Sequence, residues 1–176
     1  QLLRNDGANV FTDVAAGLVA DAGPGRASTW ADLNRDGFLD VYLAKYGEAN
    51  TLLVGDGSGG FTPANAIGFD DAGNSSGATW VDYNQDGNLD LYVTTEGPAN
   101  TMLTSYGDLG GGFFVFSALP GVTSNVGNCN VATWTDGNLD GLLDLYIVNS
   151  FGANVMLENT TLGFNDVSGT SGLADV

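Results

Sequence analysis

Short runs of strand-forming residues recur along the chain, broken by Gly, Asn and Asp, and no stretch sustains a helical period. Residues 78–81 (Ala-Thr-Trp-Val) are β-branched and aromatic. Residues 89–94 (Leu-Asp-Leu-Tyr-Val-Thr) set strand formers around one charge. Residues 101–104 follow a Gly-Pro turn, and residues 112–116 carry Phe113, Phe114, Val115 and Phe116. Four short strands are therefore predicted in this unit, with almost no helix.

The unit repeats. Segments beginning at Ala27, Gly77 and Val131 superpose, and the three tryptophans, Trp30, Trp80 and Trp134, fall on one repeat position. The period is roughly 50 residues, which suits a four-stranded propeller blade. A turn glycine returns at Gly47, Gly97 and Gly152, and an apolar pair at 52–53, 102–103 and 156–157. The same pair stands at Leu2 and Leu3, and residues 1–21 match residues 155–175. The expected organisation is the outer strands of a partial blade (1–26) and then three blades at 27–73, 74–126 and 127–176. Gln1, with no Met before it, reads as a processed terminus or the start of a segment within a longer chain. Propellers close with roughly four to eight blades. The expected fold is thus an all-β, β-propeller-type set of blades, closed only by further blades of a longer chain or by partner subunits.

Between the first two strands of each unit lies the pattern D-x-N-x-D-G-x-L-D. It comprises Asp32, Asn34, Asp36, Gly37 and Asp40, then Asp82, Asn84, Asp86, Gly87 and Asp90, then Asp136, Asn138, Asp140, Gly141 and Asp144. Oxygen donors at loop positions 1, 3 and 5 converge on a hard cation when the backbone curls back, and Gly at position 6 permits the turn. The carbonyl at position 7 (Phe38, Asn88, Leu142) and the Asp at position 9 complete an oxygen shell. Oxygen-only ligation favours Ca²⁺ over zinc or copper. Carboxylates this close repel one another unless a cation offsets them. Three Ca²⁺ sites are expected, one per loop.

These residues resemble FG-GAP/VCBS repeats, the calcium-binding blades of integrin α-chain propellers and of many extracellular proteins. Residues 46–50 (Tyr-Gly-Glu-Ala-Asn) and 151–154 (Phe-Gly-Ala-Asn) look like degenerate forms of the name-giving element. Phe11-Thr12-Asp13-Val14 and residues 172–175 are similar to the inter-repeat consensus. The resemblance implies a propeller fold, calcium and an extracellular or cell-surface setting, and it implies no catalytic activity.

Charge narrows the partners. Four Lys+Arg against 21 Asp+Glu give −17, which repels nucleic acid and anionic membrane. No apolar run is long enough for a membrane-spanning helix. With no His in the chain, catalysis would need paired carboxylates outside the loops. Spare acids outside the loops, Asp56, Asp70, Asp71, Glu96, Asp108 and Glu158, show no repeated or clustered logic beyond the Asp70-Asp71 pair. A polysaccharide-processing fragment is accordingly the most distant reading. The leading expectation is a non-catalytic, calcium-stabilised module for adhesion or self-assembly, as a homo-oligomeric ring or fibril completed by strands or blades. A glycan-binding, lectin-like propeller is the alternative. The tryptophans are expected to pack between blades, and Cys129 to be a small, unreactive filler. Asn74 and Asn159 begin N-glycosylation sequons.

Overall fold

The computed structural model describes residues 1–14, 23–69, 73–97, 99–119, 122 and 128–171. Asp70, Asp71 and residues 172–175 lie outside the described residues. The chain is all-β. A hairpin of β1 (Leu3–Gly7) and β2 (Val10–Asp13) precedes a four-stranded antiparallel sheet of β3 (Gly25–Ala31), β4 (Asp40–Lys45), β5 (Thr51–Gly55) and β6 (Phe61–Pro63), paired in chain order. The second sheet holds β8 (Ser75–Val81), β9 (Asp90–Thr95), β10 (Thr101–Asp108) and β11 (Phe113–Ala118). The third holds β12 (Cys129–Thr135), β13 (Asp144–Asn149), β14 (Val155–Thr160) and β15 (Gly163–Asp166). One helical turn, α1 (Ser168–Ser171), follows. No helix among the described residues is long and apolar enough to cross a membrane.

The expected strands at 78–81, 89–94, 101–104 and 112–116 all lie in the second sheet. A further strand, β7 (Asn65–Ile67), was not expected. It lies in the link after the first sheet but pairs in parallel with β11, through Asn65–Phe113, Ala66–Phe114 and Ile67–Val115. The second sheet is therefore five-stranded. Gly68 ends this strand at φ +84°, and a Cβ there would run into the Phe116 carbonyl oxygen. Gly68→Ala is expected to cost about 1–3 kcal/mol, because it adds left-handed strain and forces the edge strand outwards. Thermal unfolding, compared with Gly47→Ala (φ +72°, open space), checks this.

Period-2 alternation gives each sheet two apolar faces, and the sheets stack face to face. Tyr42, Ala44 and Leu52 of the first sheet pack against Leu91, Val93, Leu103, Phe114 and Phe116 of the second. On the other side of the second sheet, Val81, Tyr92 and Met102 pack against Leu145, Ile147 and Leu157 of the third. Among the described residues the three sheets close no ring.

The tryptophans follow this stacking. Trp80 sits edge-on to Tyr42 at 6.2 Å, and Trp134 edge-on to Tyr92 at 6.2 Å. Both fill the space between sheets, as expected. Trp30 lies edge-on to Phe61 of its own sheet at 5.9 Å and is 40% exposed. The β1–β2 hairpin is exposed throughout.

Candidate metal centre

The three Asp loops join the first two strands of each sheet, β3 to β4, β8 to β9 and β12 to β13. Their backbones are alike. Position 4 takes a left-handed conformation each time, at φ 58° for Arg35, 58° for Gln85 and 62° for Leu139. The position-6 glycine follows at φ 89°, 87° and 91° for Gly37, Gly87 and Gly141. Only Gly adopts that second conformation without a Cβ penalty, which explains its recurrence.

Side-chain oxygens hold the curl. In the second loop, Asp82 accepts the N–H of Asp86 at 3.0 Å and of Gly87 at 2.9 Å. The Asn84 oxygen also accepts the Asp86 N–H, at 3.0 Å, while the Asn84 amide donates to Asp86 at 3.1 Å. Asp86 then accepts the N–H of Asn88 at 2.7 Å. The same bonds recur around Asp32, Asn34 and Asp36, ending at the Phe38 N–H, and around Asp136, Asn138 and Asp140, ending at the Leu142 N–H. These are local Asx turns, the motif that Asp and Asn favour.

Position 9 behaves differently. Asp40, Asp90 and Asp144 are 1%, 0% and 1% exposed, whereas the position-5 acids face solvent. Each buried carboxylate ties the loop to the third strand of its sheet. Asp40 accepts the N–H of Leu33 at 2.9 Å and of Gly55 at 3.0 Å. Asp90 accepts from Tyr83 at 3.3 Å and Ser105 at 2.8 Å, and Asp144 from Gly137 at 3.0 Å and Asn159 at 2.8 Å. Burial pushes the Asp90 carboxyl up to about 7, against the downward pull of its two N–H donors, with Asp86 and Asp82 adding a smaller upward push. Asp40 is raised for the same reasons.

The Asp, Asn and Asp of positions 1, 3 and 5 thus share one hydrogen-bonded curl in each loop, while the position-9 carboxylate turns towards the third strand. Among the described residues, however, no three acidic side chains converge closely enough to hold a metal ion. The loop oxygens face backbone N–H groups instead. The donor chemistry suits a hard divalent cation, since each carboxylate oxygen that accepts one hydrogen bond retains a second lone pair.

Three features went unread in the sequence. Asn50, Asn100 and Asn154, in the recurring Ala-Asn before each third strand, staple the preceding strand end through the N–H of Lys45, Thr95 and Asn149. Asn100 also donates to the Tyr92 hydroxyl and to Cys129 Sγ, so it joins the second sheet to the third. The signal was the repetition itself. Asp56 and Asp108 share one role, contrary to the expectation of no repeated logic. Asp56 accepts the N–H of Ser58 and Gly60 in the β5–β6 turn, and Asp108 those of Gly110, Gly112 and Phe113 in the β10–β11 turn. Finally, neighbouring loops touch: Arg35 donates to the Gly87 carbonyl, and Gln85 to that of Gly141 at 2.7 Å.

Two other expectations resolve here. Cys129 is fully buried, and burial pushes its thiol pKa up, so it is the inert filler anticipated. Asn159 needs correction as a sugar acceptor. It is 3% exposed, with its amide donating to the Tyr83 carbonyl at 2.9 Å, so in the folded chain it faces a sheet junction. Asn74 is half-buried beside Tyr46, in an isolated bridge.

Residues 32–93, from the first Asp of loop one into β9, match the family model of the FG-GAP-like repeat. This segment is similar to an FG-GAP-like repeat, in line with the resemblance read from its residues. None of the curated proteins compared with the chain matches it.

Proposed function

We propose that the chain is a non-catalytic, calcium-stabilised repeat module that works outside the cell in adhesion or self-assembly. The carrying observation is the identity of the three Asp loops in backbone and hydrogen bonding, each anchored by a buried carboxylate. One such loop is explicable as a turn. Three copies that keep a half-buried Asp at position 1 and a solvent-facing Asp at position 5 beside a buried Asp concentrate negative charge, and the one basic residue within the D-x-N-x-D stretches, Arg35, donates to the Gly87 carbonyl of the next loop. A divalent ion would be held by Asp32, Asn34, Asp36 and Asp40 and by their counterparts in the other loops. It would supply the missing positive charge and make each loop rigid.

Extracellular modules bind calcium with dissociation constants of about 10⁻⁴–10⁻³ M, so millimolar Ca²⁺ adds roughly 0.4–1.4 kcal/mol per site. Three sites give about 1–4 kcal/mol, a large share of marginal stability. Chelation with EGTA is expected to lower the melting temperature by several degrees, and isothermal titration of the chelated protein to show about three sites. Identical unfolding with and without EGTA would remove the calcium reading.

The glycan-binding reading loses two of its three aromatic candidates, because Trp80 and Trp134 are packed between sheets. No pair of carboxylates outside the loops stands out as catalytic among the described residues, since Asp56 and Asp108 serve as turn caps.

A further inference from the structure

The three Asp loops share a backbone but not a charge. The second and third loops each receive the position-4 side chain of the loop before, on the carbonyl of the position-6 glycine. At Gly87 that side chain is the Arg35 guanidinium, a full positive charge. At Gly141 it is the neutral Gln85 amide, at 2.7 Å. Both glycines belong to the curl, since the Gly87 N–H goes to Asp82 and the Gly141 N–H to Asp136. A cation entering the second loop therefore meets a like charge beside Gly87, and one entering the third loop meets none at Gly141.

The third strand of each sheet adds a second difference. Thr104 and Glu158 hold one position, each just before the residue whose N–H bonds the buried Asp90 or Asp144. The Thr104 hydroxyl pairs with that of Tyr83, 3.0 Å away. Glu158 instead accepts the Asn138 amide at 2.8 Å, while the same amide donates to Asp140 at 2.9 Å. Asn138 is thus held from two sides, and a carboxylate beyond Asp136, Asp140 and Asp144 stands beside the third loop. Asp108 does not restore the balance. It follows Gly107, which packs on Asn88 of the second loop, but its carboxylate accepts the N–H groups of Gly110, Gly112 and Phe113 in its own turn.

We propose that these two loops are unequal calcium sites, the third strong and the second weak. Arg35 weakens the one, and Glu158, a positioning residue acting through Asn138, strengthens the other. The inference rests on the calcium part of the proposed function and adds an order of filling to it. Calcium affinity follows ligand charge and site rigidity, and both favour the third loop. As calcium falls, the second loop empties before the third, so the second sheet loses its support first.

The test is calorimetric calcium titration of chains that keep one loop. Asp36→Ala with Asp140→Ala leaves the second loop, and Asp36→Ala with Asp86→Ala leaves the third. Position 5 is exposed in every loop, and circular dichroism confirms that each chain is folded. At low salt the third loop should bind about 10–100-fold more tightly, and about 1 M NaCl should shrink the gap by screening. Arg35→Gln should tighten the second loop about 3–10-fold, while Arg35→Lys, which keeps the charge, should not. Glu158→Gln, which keeps an acceptor oxygen, should weaken the third loop about 3–10-fold. Its melting temperature in EGTA should not fall, as it would if Glu158 were merely structural. Equal affinities, a tighter second loop, or a gap that ignores both substitutions would overturn the proposal. Should a loop deletion unfold, Arg35→Gln and Glu158→Gln in the otherwise unaltered chain decide. Overall calcium affinity should rise with the first and fall with the second, and any other pair of shifts overturns the proposal. A wild-type chain that takes up no calcium would overturn the calcium reading as well, whereas uptake by equal loops would leave that reading standing.

Discussion

Asp90→Ala, measured by urea unfolding in EGTA, lowers stability by about 2–5 kcal/mol, while Asp82→Ala lowers it by about 1 kcal/mol or less. Both are carboxylates of one loop, so the contrast isolates burial. Asp90 is 0% exposed and accepts the N–H groups of Tyr83 and Ser105. Removing it strands one buried and one part-buried donor, a buried one costing about 1–3 kcal/mol when unsatisfied. The burial that raises the Asp90 pKa offsets part of this, since alanine has no charge to desolvate. Asp82 instead holds exposed amides that water can satisfy. Asp90→Asn should fall between the two, because an amide keeps one acceptor oxygen but turns an NH₂ towards the other donor. Equal losses for Asp90→Ala and Asp82→Ala would show that position 9 does not anchor the loop. Chelator is needed because bound calcium would add its own loss to both variants.

Phe114→Ala is expected to cost about 3–5 kcal/mol, against at most about 0.5 kcal/mol for Phe11→Ala. Both residues stand on the second strand of the outer hairpin of their repeats, β2 for Phe11 and β11 for Phe114. Phe114 is 1% exposed and belongs to the core between the first and second sheets. Phe11, on the solvated β1–β2 hairpin, is 58% exposed. Truncating Phe114 leaves a cavity that the stacked sheets cannot fill without moving as bodies. Because each sheet packs only on its neighbours, the unfolding curve should also broaden or split as the first sheet loosens from the second. A single sharp transition with an unchanged midpoint would contradict the assigned core.

Periodicity made the strands and the loop register legible, because a two-residue alternation and a repeated Asp-Asn-Asp-Gly string carry their own geometry. The packing role of Trp80 and Trp134 was legible for the same reason. The burial of Asp40, Asp90 and Asp144 was not, since the first, fifth and ninth loop positions are the same residue type and differ only in which strand lies behind them. The Ala-Asn staples were visible as repetition, but their targets lie on other strands. Strand β7 was invisible because Asn65, Ala66 and Ile67 form no strand pattern, and they pair only when β11 offers an edge. The exposure of Trp30 depends on which sheet lies beside it, which is a property of the fold and not of its repeat.

That borrowed strand sets where the chain can be divided. A recombinant piece begun at residue 74 would leave β11 with a bare row of amides and carbonyls on the side where Asn65–Ile67 normally lies. Such an edge invites aggregation. The unit that duplicates in sequence is therefore offset from the unit that folds, and any shuffling of these modules that respects folding must cut ahead of Asn65.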